Sequence, residues 1–179
     1  MYLLDSRHTM LVLLAMGAAS TLSAQTPDLS DAEVAHVAVT ANSIDIDLGK
    51  LAESRARAAE VRQFAATMIT DHGAVNRQAA ALAARLGVTP ADNAVSRSLL
   101  DGAATARTGI EELRGRAFDR AYITREVAYH QAVLDALDGL LIPTTTNEEL
   151  RKLLTDVRPA IAAHLQHAKQ LAGALGAGR

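Results

Sequence analysis

Apolar residues recur along most of the chain at alternating spacings of three and four positions, which is the repeat of one helix face. Ser30 followed by Glu33 is a capping-box signal, and the first repeat runs from there to Ala52. The second repeat covers residues 58–86 and meets Gly87, a residue type that commonly ends helices. This pattern predicts two long helices joined by a short turn near residue 58.

The second half of the chain repeats this arrangement. Residues 95–114 form a weaker helical pattern that glycines interrupt, and we interpret it as a crossover helix. Two strong patterns follow over residues 117–141 and 148–175, separated by a loop at Pro143. No run of alternating apolar and polar residues indicates a strand. The sequence therefore predicts an all-α fold, a four-helix bundle of two helical hairpins joined by a crossover helix.

The beginning of the chain has a different character. Residues 10–22 form an uninterrupted apolar run that ends in small residues before Gln25, a pattern typical of a signal peptide cleaved after Ala24. The run is too short to span a bilayer, and the mature chain has no longer one. We therefore expect a signal peptide over residues 1–24, a helical-bundle domain over residues 25–179, and export to the periplasm or cell envelope of a bacterium.

Charge and composition narrow the classes of function. The chain has 18 Lys and Arg against 20 Asp and Glu, a formal net charge of −2, and its basic residues form no nucleic-acid-binding pattern. The absence of cysteine excludes disulfides, thiolate metal sites and c-type haem attachment. No phosphate-binding glycine loop or serine-hydrolase elbow occurs. We expect no nucleotide, no haem and no nucleic-acid partner, while a protein partner or a homo-oligomer stays open.

Ionisable residues interrupt the apolar stripes of the long helices at positions that point inward. They are Asp45, His72, Glu126, His130 and His164. Since burying such groups singly costs several kcal/mol, they should meet one another, water or a metal. Counted from the hairpin turns the five lie nearly level, so we expect one cluster at mid-bundle. Residues beside the stripes are expected around this cluster: Asp47, Asp71, His167 and Tyr122.

Imidazoles together with carboxylates form a donor set for a divalent first-row metal such as zinc, iron or manganese. The same side chains could instead form a hydrogen-bonded network that fixes how the helices pair. None of the inward histidines has a glutamate three residues before it, so the Glu-x-x-His pairs of di-iron bundles are missing from the cluster. If metal binds, a single ion or a His-rich site is the natural expectation.

Several segments, taken in order, resemble a known family. They are IDIDLGKLA at residues 44–52, VRQFA at 61–65, DH at 71–72, FDRAY at 118–122 and PAIAAHL at 159–165. These segments are similar to the ferritin-like family catalogued as domain of unknown function 4142. The resemblance covers residues 31–173 and implies a secreted or envelope protein with a ferritin-like four-helix bundle and no established activity.

Three functions are compatible with these features. The leading hypothesis is an exported, non-enzymatic helical-bundle protein whose His and carboxylate site binds a divalent metal for storage, buffering or stress protection. The second is a metal-dependent oxidoreductase that uses the same site. The third is a structural or interaction module of the envelope, with a buried polar network and no metal.

Overall fold

The computed structural model describes residues 28–177, which contain five long helices and no strand. The expected signal peptide lies outside the described residues. The helices are α1 (Asp31–Arg55), α2 (Ala59–Leu86), α3 (Ala94–Glu111), α4 (Gly115–Ala136) and α5 (Glu148–Ala177). The chain continues from α4 into a π-helical turn and a short α-helical turn, Leu137–Leu141 and Ile142–Thr144. The all-helical class predicted from the sequence is confirmed.

The helices pack as two hairpins. α1 lies along α2, and α4 lies along α5. α2 also contacts α5, and α1 also contacts α4, while α3 crosses between the hairpins and packs on α1 and α4. Within residues 28–177, none of the helices combines the length and the apolar character needed to cross a membrane.

Local sequence specifies several of the helix ends. The Ser30 side chain accepts a hydrogen bond from the backbone of Glu33, whose carboxylate accepts one from the Ser30 N–H at 2.9 Å. Gly87 ends α2 with a φ of 64°, a left-handed conformation that glycine adopts without a steric penalty. Asn93 begins α3 by accepting a hydrogen bond from the Ser96 N–H at 3.0 Å. These are the N-cap and C-cap interactions that satisfy helix-end groups.

A carboxylate from each hairpin closes the connection in the other. Asp119 of α4 is buried and accepts hydrogen bonds from the backbone N–H groups of Arg57 and Ala58 at 2.8 and 2.9 Å. This is where α2 begins without a side-chain cap of its own. Asp31 of α1 accepts hydrogen bonds from two backbone N–H groups just before α5, at 2.8 and 2.9 Å. The two hairpins are thus joined to each other at both ends of the bundle.

Two apolar clusters fill the bundle. The first includes Phe64 and Phe118, and the second includes Leu134 and Leu154. Along each of α1, α2, α4 and α5, the inward ionisable residues fall between members of the first cluster and members of the second. The polar cluster therefore occupies the middle of the bundle, with apolar packing on both sides.

α1 and α2 approach each other closely at Gly49. A Cβ atom at this position would lie 3.2 Å from the carbonyl oxygen of Ala65 and 3.1 Å from the Ile69 side chain. Because the carbonyl belongs to the α2 backbone, it cannot move aside as a side chain can. The approach of these two helices thus depends on glycine.

Candidate metal centre

The five inward residues predicted from the sequence lie together in the interior. Asp45 and Glu126 are 0% exposed, His130 is 1% exposed, His72 is 4% exposed and His164 is 7% exposed. One ligand atom from each of the three histidines lies within 4.8 Å of the others, and the same holds for Asp45, Glu126 and His130. Two overlapping sets of metal-type donors therefore share His130.

His72 connects α2 to α1. Its Nδ1 lies 2.7 Å from the side-chain oxygen of Asn42, and its Nε2 lies 3.0 Å from Oδ2 of Asp45. An amide oxygen only accepts, so Nδ1 carries the proton in the first contact. In a neutral ring Nε2 then has a lone pair that faces a carboxylate oxygen. A proton or a metal ion between these two atoms is needed to make that contact favourable.

His130 lies one turn after Glu126 on α4. Its Nδ1 donates to the backbone carbonyl of Glu126 at 3.0 Å, while Nε2 is buried without a hydrogen-bond partner. Nε2 lies 3.8 Å from Oδ2 of Asp45. Burial lowers the pKa of His130 to about 4, and the attraction of Asp45 only partly opposes this effect. The ring is therefore neutral near pH 7, the form in which imidazole binds metals.

His164 places the third imidazole at the edge of the cluster. Its Nε2 donates to Oδ2 of Asp71 at 3.0 Å, and Nδ1 is buried without a hydrogen-bond partner. Burial lowers the pKa of His164, although the hydrogen bond to Asp71 acts in the opposite direction. The Asp71 side chain is 46% exposed, so it connects the cluster to the protein surface. The sequence predicted Asp71 beside this cluster.

The three imidazoles share one arrangement. Each uses one ring nitrogen for an oxygen acceptor, and its other ring nitrogen is buried. Nε2 of His130 and Nδ1 of His164 have no hydrogen-bond partner, while Nε2 of His72 lies 3.0 Å from Oδ2 of Asp45. Their ring centroids are 5.4 to 5.7 Å apart. Metal-ligating histidines commonly donate their second N–H to a carboxylate or carbonyl in this way, which fixes the tautomer. The residues present therefore fit a metal with three imidazole ligands.

The two buried carboxylates of the cluster differ in charge. Burial raises the pKa of Glu126 well above its ordinary value, and the neighbouring Asp45 raises it further. Burial also acts to raise the pKa of Asp45, but His72, His130 and Arg125 together hold it below its ordinary range. Asp45 is consequently the carboxylate that carries the negative charge, and the one best suited to a cation among the histidines.

Arg125 lies on the opposite side of these carboxylates from the histidines. Its Nη1 is 3.0 Å from Oδ1 of Asp45 and 2.7 Å from Oε1 of Glu126. The guanidinium lies over the Tyr129 ring, 3.9 Å from the centroid, and the Tyr129 hydroxyl donates to the Ala41 carbonyl at 2.8 Å. With only 11% of its side chain exposed, Arg125 is a buried and firmly positioned cation.

Two residues expected around the cluster, Asp47 and His167, do not join it, and a third, Tyr122, lies beside it without a hydrogen bond. Asp47 is exposed and paired with a lysine one turn away, because two residues turn a helix by about 200° from Asp45. His167 is exposed, and its ring packs edge-on against a phenylalanine. Tyr122 is buried one turn before Glu126, with its ring stacked at 6.5 Å from that of Phe118. Its hydroxyl has no hydrogen-bond partner, and burial together with the charges of Glu126 and Asp45 raises its pKa well above the ordinary value.

Sequence reasoning missed three participants, Asn42, Arg125 and Tyr129. Asn42 precedes Asp45 by three residues, a spacing that places both on one face of α1. Arg125 could have been found from charge balance, because two buried carboxylates require a nearby cation. Tyr129 gives no comparable signal, since a half-polar aromatic residue suits many helix positions.

Two solved structures have a similar fold. A fragment of DUF305 from Deinococcus radiodurans has a TM-score of 0.66 at 18% sequence identity, over 84% of this chain and 99% of that one. CopM in its Cu(II)-bound form has a TM-score of 0.62 at 15% identity, over 82% of this chain and 98% of that one. At such low identities these similarities show a shared helical fold.

The sequence itself gives the family. No curated protein sequence matches this chain. A family model described as a domain of unknown function matches residues 16–171, which is most of the chain and includes all five residues of the cluster. The resemblance drawn from the short segments is thereby confirmed, and the chain belongs to the DUF4142 family.

Proposed function

We propose that this protein binds one divalent first-row metal ion in the middle of a ferritin-like four-helix bundle, as an exported metal-storage or buffering protein. The observation that carries the proposal is the convergence of three buried imidazoles. His72, His130 and His164 each have one ring nitrogen at an oxygen acceptor and the other buried in the bundle. Oδ2 of Asp45 lies beside two of these rings and would complete a set of three nitrogens and one oxygen.

The donor chemistry favours late first-row metals. Imidazole suits zinc, copper, iron and nickel, and copper(II) binds most tightly in the general order of divalent ions. Magnesium and calcium prefer oxygen ligands and fit this set poorly. CopM, which has a similar fold, was solved in a Cu(II)-bound form. Copper therefore joins zinc, iron and manganese, the metals expected from the sequence, as an ion to test.

Storage fits the proposed site better than catalysis does. Catalytic zinc sites keep one coordination position open for water or substrate, whereas structural sites are closed by four protein ligands. Three histidines and Asp45 would supply four ligands, and none of them is more than 7% exposed. Export is supported by the apolar run at residues 10–22 and by the lack of cysteine.

Metal titration tests the proposal. Tag-free protein is titrated separately with copper(II), zinc, manganese(II) and anaerobic iron(II), and bound metal is measured by calorimetry and elemental analysis. We expect one equivalent for the wild type and for the exposed control His167→Ala. His72→Ala, His130→Ala and His164→Ala should each lose at least about 100-fold in affinity, because each removes a direct ligand.

The same titration separates the metal site from a purely structural network. A ligand at about 100 times its dissociation constant stabilises the folded state by about 2.7 kcal/mol, which raises the melting temperature. If no metal binds or raises the melting temperature, the proposal is wrong and the network alternative is favoured. The intact mass of exported protein tests the signal peptide, since retention of residues 1–24 would contradict cleavage after Ala24.

A further inference from the structure

The second donor set of the cluster already has a cation beside it. Asp45, Glu126 and His130 offer ligand atoms within 4.8 Å of one another, and all three are buried. Two carboxylates in one interior volume repel each other when both are ionised. Arg125 lies between them, with a single nitrogen 3.0 Å from an oxygen of Asp45 and 2.7 Å from an oxygen of Glu126.

Asp45 faces two different cation positions. Its Oδ1 contacts Arg125, while its Oδ2 lies 3.0 Å from Nε2 of His72 and 3.8 Å from Nε2 of His130. One carboxylate that directs its two oxygens to two cations is the arrangement of a bridging ligand in a two-metal centre. In this protein, one of the two positions is taken by a side chain.

The remaining oxygen of Glu126 supports this interpretation. Oε2 is buried without a hydrogen-bond partner and lies 3.4 Å from Nδ1 of His130. The Arg125 guanidinium is held by its contact with the Tyr129 ring at 3.9 Å, and both of these residues line a surface cleft between α3 and α4. Removing the guanidinium would therefore leave metal-type donors that solvent can reach through that cleft.

We propose that the Arg125 guanidinium acts as a built-in second cation, which limits the centre to one metal ion and masks a carboxylate site for another. The masked site consists of the two carboxylates, Asp45 and Glu126, because the single lone pair of the neutral His130 ring belongs to the three-histidine site. It would accept a divalent ion such as zinc or manganese once the guanidinium is gone. This inference builds on the proposed metal site because it concerns the neighbouring position of the same centre.

Metal stoichiometry tests the inference. Wild type, Arg125→Ala and the control Arg120→Ala, an exposed arginine on the same helix, are saturated with zinc alone or manganese alone and analysed by calorimetry and elemental analysis. Arg125→Ala should bind one equivalent more than the wild type, and Arg120→Ala should not. The added equivalent should disappear in the double variant Arg125→Ala with Glu126→Gln, because Glu126 supplies a ligand only to the masked site.

Failure of this inference can be told apart from failure of the proposed function. A wild type that binds no metal refutes the three-histidine site, yet one equivalent gained by Arg125→Ala and lost with Glu126→Gln still supports the masked site. Equal stoichiometry in the wild type and Arg125→Ala overturns it. If Arg125→Ala does not fold without metal, Arg125→Gln fills more of the volume. If neither Arg125→Ala nor Arg125→Gln folds without metal, refolding that takes up one zinc equivalent more than the wild type binds supports the inference. No refolding at any zinc concentration overturns the inference.

Discussion

Acidification in the presence of a chelator should destabilise this protein through His130. The ring is 1% exposed, and burial lowers its pKa to about 4 from an ordinary value of 6.5. In the unfolded chain the same ring takes up a proton near its ordinary pKa. Between these two values the unfolded state binds more protons, so the free energy of unfolding falls as the pH is lowered from about 6.5 to about 4.

The size of the loss follows from the shift. Each pKa unit corresponds to about 1.4 kcal/mol, so His130 alone should remove roughly 3 kcal/mol across this window. Glu126 acts in the opposite direction, because burial raises its pKa well above the ordinary value and its folded form holds a proton that the unfolded form releases. The free energy of unfolding of the wild type therefore follows two opposing trends with pH. The contribution of His130 is isolated by comparing the wild type with a variant that lacks this residue.

His130→Gln provides that difference, since glutamine keeps hydrogen-bonding groups but does not titrate. Urea unfolding of both proteins, followed by far-ultraviolet circular dichroism with a chelator present, gives the free energy of unfolding by linear extrapolation. The stability advantage of the wild type over the variant should shrink by roughly 3 kcal/mol between about pH 7 and about pH 4. A difference that stays constant within about 0.5 kcal/mol over this range would refute the claim that His130 is buried in its neutral form.

Three further perturbations test other parts of the structure. Asp119→Ala should destabilise the fold by about 2–4 kcal/mol in urea unfolding, since it removes two charge-assisted hydrogen bonds to the turn before α2. Gly102→Ala should stabilise the exposed α3 by up to about 1 kcal/mol, whereas Gly49→Ala should destabilise because its Cβ meets a backbone carbonyl of α2; equal effects of the two changes in thermal melts would contradict this. Asp71→Ala should weaken metal binding by about 10- to 100-fold, and calorimetry of the exposed Asp47→Ala should show no loss.

The helices were predictable because their signals are local. Periodic apolar residues identify each buried face, and residues such as Ser30 and Gly87 specify helix ends within a few positions. The end of α4 was not predictable in this way. The sequence predicted one helix over residues 117–141, but α4 ends at Ala136 and a π-helical turn follows. There the Ile142 N–H donates to the Leu137 carbonyl five residues back. Pro143, which has no N–H, follows directly, and periodicity does not distinguish the two hydrogen-bond registers.

The members of the cluster were predictable only where the direction in which a side chain leaves its helix is enough to identify them. Helical spacing gives the angle at which a residue leaves its axis, so it identified the inward residues such as His72 and Glu126. It does not give the reach of a long side chain. Arg125 follows no apolar stripe, yet its flexible stem carries the guanidinium to Asp45 on another helix. Which oxygen faces which nitrogen depends on packing between helices, and no single helix encodes that.

The reciprocal carboxylates imply that the two halves of this protein are incomplete as separate pieces. The turn of the first hairpin receives its cap from Asp119, 61 and 62 positions away from its two donors, and the loop of the second receives its cap from Asp31, 115 positions from Thr146. Neither half can finish its own connection by local folding. A chain cut within α3 would yield two fragments, each with a connection that lacks its capping carboxylate. Each fragment would supply the carboxylate that the other lacks. The continuous chain through α3 then chiefly raises the effective concentration of each half near the other. We therefore expect the two separate fragments to reassemble into this bundle.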